Sequence, residues 1–426
     1  MKFQKISVLG LGYIGLPTAS TFATHGVEVL GVDVKPEIIE TLKAGGLHIH
    51  EPGLRTLVSG AINSGMLRVG LAPGLGDAFI IAVPTPFIGA DKKADMRAVT
   101  AAAEAIVPFL REGNLVVLES TSPPRTTIDL VAPILEKSGL KAGVDFHLAY
   151  SPERVLPGQI LRELIENARV VGGVTSESAQ AAYDLYKIFV KGEIIKTNAT
   201  TAEMVKLMEN TYRDVNIAIA NEFSRLADNF GVDVWEATSL ANLHPRVEIL
   251  KPGIGVGGHC ISVDPWFLVE AAPEITPFIR QAREVNDAQP KFVVDLVERA
   301  LGSLKGKNIA ALGLAYKPDV DDLRESPAVK VVHLLQDAGA KVKAFEPFAS
   351  DAKLPNITTV RNLEEVLLEA DAVILLVAHG EFKLLDADFI ASAMKGRVAI
   401  DAVNGWDAKV WKNAGFALTR LGVREA

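Results

Sequence analysis

The sequence predicts an α/β protein in which two doubly wound domains are joined by a long central helix. Three observations carry that expectation. Short apolar, β-branched runs alternate with helical stretches from Ile6 to Gly172, and the alternation resumes at Asn308. Between Thr200 and Phe230 neither proline nor glycine interrupts a helical pattern. Alternation of this kind builds a parallel sheet with helices on both faces.

Taken in order, residues 6–9, 29–32, 79–83, 116–119, 147–150 and 170–172 read as buried parallel strands, being apolar throughout rather than alternating. Thr200 with Glu203 fits a capping box for the central helix, and Gly231 is its C′ residue. At about 1.5 Å per residue that helix is about 45 Å long. Val205, Met208, Tyr212, Val215, Ile219, Phe223 and Leu226 recur on it at helical spacing, while Lys206, Asn210 and Arg213 share another face. Residues 309–312, 342–345, 373–377 and 398–401 read as strands of a second, smaller domain, in which Ser326-Pro327 opens a helix and Gly339 closes it. The expected boundaries are 1–199, 200–300 for a central helical region, and 301–426.

Composition narrows the function. The chain has 426 residues, 49 % hydrophobic and 23 % charged, which excludes a disordered or fibrous protein. Lys+Arg 44 against Asp+Glu 52 leaves a net charge of −8, so nucleic acid and anionic membranes are not expected partners and any anion site must be local. Apolar runs such as 372–378 fall far short of the roughly 20 residues of a spanning helix. The opening MKFQKISVLG lacks a secretory pattern, so a cytoplasmic protein is expected. Cys260 is the sole cysteine, which excludes an intrachain disulfide and a cysteine-cluster zinc site.

The residues that carry chemistry lie at predicted strand ends and in one loop. Gly10-Leu11-Gly12-Tyr13-Ile14-Gly15 follows a strand and opens a helix. Gly10 permits the turn, Gly12 lets a pyrophosphate approach the backbone, and Gly15 lets helix and strand pack closely. Asp33, 18 residues after Gly15, suits the ribose hydroxyls of NAD and repels a 2′-phosphate, although Lys35 keeps NADP open. A purely structural glycine turn is the plainer alternative. Pro252-Gly-Ile-Gly-Val-Gly-Gly-His-Cys260 is a glycine-rich approach to the lone thiol. A thiolate there can add to an aldehyde and lead to a thioester, with Asp264 orienting a water or a lysine; a buried small hydrophobe is the alternative. Lys206 and Asn210, at i and i+4, can serve one cleft as proton acceptor and oxygen ligand, or simply form a solvated face. Tyr150-Ser-Pro-Glu153-Arg154 and Glu119-Ser-Thr121 end strands where ligands of open sheets bind. Glu153 is a candidate base and Thr121 a holder of water, or both are turn and cap residues. Ala82-Val83-Pro84-Thr85 ends a third strand. His48 and His50 read as exposed turn residues without a third ligand, so no metal site is expected, and no nucleoside-triphosphatase loop is present.

GLGYIGLPTA, IAVPTPF, ESTSP, SPERVLPGQ, RDVNIAIANE, HPRVEIL and GVGGHCISVDPWF stand in order along the chain. Together they resemble the UDP-glucose/GDP-mannose dehydrogenase family over essentially its whole length. The resemblance implies two Rossmann-like domains, one for NAD and one for a UDP-sugar, flanking a helical dimerisation core. It implies oxidation of a sugar's primary alcohol to a carboxylate with two NAD. Carried across, Cys260 matches the nucleophile, Lys206 the proton donor and acceptor, and Asn210 and Asp264 their supports. For the cofactor the resemblance implies Tyr13, Ile14, Asp33, Thr85, Thr121 and Arg324. For the nucleotide sugar it implies Arg154, Val155, Lys206, Asn210, Arg213, His244, Arg246, Gly257, Tyr316 and Lys317, with Arg246 reaching the neighbouring subunit of a homodimer. UDP-glucose members carry glutamate where this chain has Pro157 and lysine where it has Val263, which argues against glucose. UDP-N-acetyl-D-mannosamine is the expected substrate and UDP-N-acetylglucosamine, an epimer, the alternative. A two-electron hydroxyacid-type dehydrogenase that bypasses Cys260 and a non-enzymatic nucleotide-sugar sensor are further readings. Two, one or no NADH per sugar separates them.

Overall fold

The alternating pattern folds into two sheets, one in each of the units into which the chain divides: Met1–Glu209 with Trp266–Ile275, and Asn210–Pro265 with Thr276–Ala426. The structure is a computed structural model that describes residues 2–89, 91–349 and 354–424. The first sheet contains β1 (Lys5–Leu9), β2 (Glu28–Val32), β3 (Leu67–Gly70), β4 (Ala78–Ile81), β7 (Leu115–Leu118), β8 (His147–Tyr150), β9 (Arg169–Gly173) and β10 (Ile194–Asn198). A two-strand hairpin, β5 (Phe87–Ile88) and β6 (Lys93–Ala94), stands apart. The sheet order is β10-β9-β8-β7-β4-β1-β2-β3, so its first six strands have the doubly wound dinucleotide-fold order. β4, β7 and β9 bury every residue, as strands covered on both faces must. The edge strands β3 and β10 were not expected from the sequence, because exposed residues such as Arg68 and Lys196 break the apolar run.

One direction differs from expectation. β9 runs antiparallel to β8, with Tyr150 opposite Gly172, whereas the sequence reading had it parallel. A strand buried on both faces is apolar whichever way it points, so the residues carry no signal of direction. The reversal brings the first residue of β9, Arg169, to the C-terminal edge of the sheet.

The second sheet comprises β11 (Asn308–Leu312), β12 (Lys341–Phe345), β13 (Thr358–Val360), β14 (Ala372–Leu375), β15 (Val398–Asp401) and β16 (Ala417–Arg420). All its strands are parallel, in the order β13-β12-β11-β14-β15-β16. The helix Pro327–Asp337 starts as expected, with Ser326 Oγ accepting from Ala328 N at 3.2 Å. Among the described residues, no helix is long and apolar enough to cross a membrane.

The central helix is Ala199–Phe230, and Gly231 follows it at φ +71°. Its cap is not the expected Thr200–Glu203 box. Asn198 Oδ1 receives Thr201 N at 2.8 Å instead. The Glu203 carboxylate accepts from Thr127 N at 2.7 Å, Thr127 Oγ1 at 2.6 Å and Arg125 N at 2.6 Å. Three donors at the start of another helical turn (Thr127–Val131) outcompete one donor at its own. The apolar stripe of the helix faces outward: Met208, Tyr212, Ile219, Phe223 and Leu226 are all exposed. Its buried positions include Asn210, Asp214, Asn221, Ser224 and Asp228.

Candidate active site

β1 delivers the chain to Gly10, which adopts φ +94° and donates its N–H to Val32 O at 2.8 Å. A Cβ there would lie 2.4 Å from Ala82 O, and one on Gly15 would lie 1.8 Å from Gly10 O. Nothing stands within 4 Å of the same position on exposed Gly12. The first and third glycines are therefore required by the fold, and the second leaves room for a ligand beside the backbone. That pattern fits a pyrophosphate over the start of the helix Gly15–Thr24. Tyr13 and Ile14 are half-buried on that turn. Asp33 holds the loop in shape: Oδ2 accepts from Leu11 N and Oδ1 from Lys35 N, each at 3.0 Å. His48 is not the exposed turn residue expected. It is partly buried and its Nε2 lies 2.8 Å from Leu11 O, bracing the same loop. Thr85 and Thr121 are half-buried beyond neighbouring strands, whose ends are tied by Ser120 Oγ accepting from Val83 N at 2.9 Å and donating to Val83 O at 2.7 Å.

Behind these strand ends lies a buried charge cluster that sequence reasoning missed. Arg169 pairs with Glu153 at 2.5 Å and with Glu119 at 3.5 Å, and its guanidinium lies 4.2 Å from the Tyr186 ring centroid. Tyr186 OH donates to Glu119 Oε1 at 2.6 Å. Glu153 also accepts from Arg154 N at 2.8 Å, so both its oxygens are engaged. Burial pushes the Glu119 carboxyl up to about 7, opposed by Arg169 and reinforced by Glu153. Burial alone would lower Arg169, but the surrounding carboxylates hold it charged. The signal in the sequence was an arginine at the head of an otherwise apolar strand. Arg154 is drawn to Glu209 on the central helix at 2.5 Å, and Val155 follows it half-buried. One turn before Glu209's neighbour Asn210 stands Lys206, and both Lys206 and Asn210 are buried.

In the second unit, Asn210 Nδ2 donates to Asp264 Oδ2 at 2.5 Å, a bond inside the protein between two residues at most 8 % exposed. Asp264 opens the helix Asp264–Ala271, and its N–H and that of Val263 bond back to Cys260 O at 2.8 and 3.0 Å. Cys260 is half-exposed. The preceding loop lies against the stretch after β11: a Cβ on Gly257 would be 2.6 Å from Pro327, and one on Gly258 would be 2.9 Å from the Tyr316 ring. Gly258 N donates to Arg324 O at 3.1 Å, and Arg324 is paired with Asp322 at 2.6 Å. The structure thus brings Cys260, Asp264, Asn210, Gly257, Tyr316 and Arg324 into one neighbourhood, with Lys317 next to Tyr316. Arg213 is exposed on the helix face, and His244 and Arg246 are exposed beyond the helix Val234–Ala241. No cluster of metal-ligating side chains occurs among the described residues.

The fold is that of a two-sheet α/β protein whose first unit carries a dinucleotide-type glycine turn. Three family models match: the NAD binding domain of the UDP-glucose/GDP-mannose dehydrogenase family at residues 4–190, its central domain at 200–288 and its UDP binding domain at 310–408. The chain belongs to that family. A UDP-N-acetyl-D-mannosamine dehydrogenase of Methanococcus maripaludis is 47 % identical, covering 98 % of this chain and 97 % of its own. An NDP-N-acetyl-D-galactosaminuronic acid dehydrogenase of Ralstonia solanacearum is 49 % identical, covering 96 % and 97 %. The solved UDP-D-ManNAc dehydrogenase of Pyrococcus horikoshii superposes with a TM-score of 0.92 at 42 % identity, over 98 % of this chain and 99 % of that one.

Proposed function

We propose that this protein oxidises the primary alcohol of UDP-N-acetyl-D-mannosamine to the carboxylate in two steps, through a thioester on Cys260. The observation that carries the mechanism is a lone, half-exposed thiol at the end of a glycine-rich loop, directly before the buried Asp264–Asn210 pair. The Gly10–Gly15 turn and Asp33 would hold NAD, which would supply the hydride acceptor for each oxidation. Lys206 takes the alcohol proton as the aldehyde forms. The Cys260 thiolate adds to the aldehyde carbon, and loss of the second hydride leaves a thioester. Water adds to the acyl carbon and the thiolate departs, giving the acid. The sum is one alcohol and one water to one carboxylic acid, with two hydrides and two protons released. Asn210, held by Asp264, presents its amide oxygen toward the reacting groups. Glu153 is held by Arg169 at 2.5 Å. The reading places the enzyme in the cytoplasm.

The sugar is read from the Methanococcus and Pyrococcus relatives. The Ralstonia relative supports an N-acetylgalactosamine-type sugar as a second reading. We also read the chain as a homodimer closed over the outward apolar stripe, with Arg246 completing the partner's site. Assays of UDP-N-acetylmannosamine, UDP-N-acetylglucosamine, UDP-N-acetylgalactosamine and UDP-glucose, counting NADH per sugar, test substrate and stoichiometry together. Cys260→Ser is expected to abolish turnover and leave nucleotide-sugar binding intact. A serine variant yielding two NADH per sugar at near wild-type rate overturns the mechanism.

A further inference from the structure

The loop 251–263 contains neither helix nor strand, so a few bonds must fix where its thiol ends. Near its start, Gly253 N donates to Asn221 Oδ1 at 2.9 Å. Asn221 is wholly buried on the central helix, and its Nδ2 donates to Asn286 Oδ1 at 2.9 Å. Asn286 in turn donates to Asp214 Oδ1 at 2.8 Å, and Asp214 is paired with Arg283. These side chains are at most 1 % exposed, and they link two long helices to the loop in one unbroken relay. The next residues of the loop follow the same support. Ile254 is buried in the core beside Val293 and Val297. Gly255 takes φ +127°, and a Cβ on it would lie 3.1 Å from Asn286 O. That carbonyl lacks its helical donor because residue 290 is a proline within the helix Pro277–Leu301.

We propose that Asn221 is a positioning residue for Cys260: it clamps the start of the glycine-rich loop to a buried polar relay and so sets the place of the thiol seven residues on. The chemistry explains the residue type. The clamp needs an acceptor for Gly253 N and a donor for Asn286 on two separate atoms, which the asparagine amide supplies; alanine has neither, and serine carries both functions on one oxygen that cannot reach both partners. The proposal rests on the reading of Cys260 as nucleophile.

Because Cys260 is the chain's sole cysteine, its alkylation by iodoacetamide, followed by intact mass across pH, reports on that thiol alone. In Asn221→Ala the alkylation profile is expected to shift, and kcat is expected to fall by about tenfold or more, as a misplacement of about 1 Å can cost roughly 10²-fold. KM for NAD should stay within about twofold, since its turn lies elsewhere in the chain. Should the alanine variant not fold, Asn221→Ser, which keeps an oxygen but cannot span both partners, carries the same expectations. A folded variant with wild-type alkylation and kcat, whatever its Tm, overturns the proposal and makes Asn221 a structural brace. Cys260→Ser run in parallel separates the two ideas. If it still forms two NADH per sugar, the nucleophile reading fails, while the alkylation arm still reports whether Asn221 positions the loop.

Discussion

Single residues explain why part of the site could be read from the sequence and part could not. Gly10 and Gly15 were legible because each answers a local demand, a positive φ and a contact that no side chain tolerates. Cys260 stood out because it is the sole cysteine and glycines precede it, and the structure adds that it is half-exposed. Arg169 was not, since its meaning depends on β9 running backwards, which places it between Glu119 and Glu153. That cluster has a consequence for stability. The Glu119 carboxyl, ordinarily near 4.5, is pushed up to about 7 in the fold, chiefly by burial. Between those values the folded protein holds a proton that the unfolded chain has released. Stability from this group is therefore greatest at and below the ordinary value, declines as pH rises through the window, and levels off above about 7. One proton held across such a window corresponds to a decline on the order of 3 kcal/mol. Glu119→Gln, which cannot ionise, should lose this component. Thermal midpoints at pH 5 to 8 should show the wild type declining relative to the variant; parallel curves would contradict the assignment.

At the scale of elements, the central helix is the instructive case. Its apolar periodicity, its length and Gly231 at its end were all legible. Which face it buries was not. The polar stripe of Asp214, Asn221 and Asp228 is inside, bonded to Arg283, Asn286 and Arg299 of one other helix, while the apolar stripe is outside. An amphipathic helix ordinarily turns its apolar face to the core, and under the proposed dimer the partner subunit covers this outward stripe. Phe223, Leu226, Phe230, Val234 and Ile249 line an open groove of about 370 Å³ on this face. A contiguous apolar patch of this kind favours association. Under the proposed dimer, Phe223→Asp should leave the fold intact, because the side chain is 40 % exposed, and should convert the species in solution to monomer. Light scattering at matched concentration checks it. An unchanged dimer mass would place the interface elsewhere, and a monomeric wild type would remove the dimer altogether.

Across the whole molecule the two units repeat one design that no sequence repeat announces. Both sheets follow the same order over six strands. Gly10 and Gly313 take φ of +94° and +90° after the first strand, and their N–H groups bond to Val32 O at 2.8 Å and Phe345 O at 2.9 Å. Asp33 and Glu346 end the second strand and receive the next turn, Glu346 accepting from Leu314 N at 2.7 Å. The resemblance lies in backbone geometry, and the side chains diverge. Glu346 is 1 % exposed and met by buried His379 at 3.1 Å, so it is sealed where half-exposed Asp33 stays open to a ribose. The second unit therefore keeps the frame and presents other residues, Tyr316 beside Gly258 among them. At this scale the proposed dimer turns on Arg246, exposed with His244 on the segment between the helix Val234–Ala241 and the cysteine loop. In the proposed dimer its guanidinium reaches the partner's sugar and donates forked hydrogen bonds that lysine cannot reproduce. The alternative is an arginine that braces its own subunit's loop. Mixing inactive Arg246→Ala with inactive Cys260→Ala separates the two. If Arg246 acts in trans, a hybrid dimer has one site with both its own Cys260 and the partner's Arg246, and activity returns. If it acts in cis, one subunit lacks the arginine and the other the thiol, so neither site is whole. Subunit exchange verified by mass, with no recovered NADH formation, would refute the shared site.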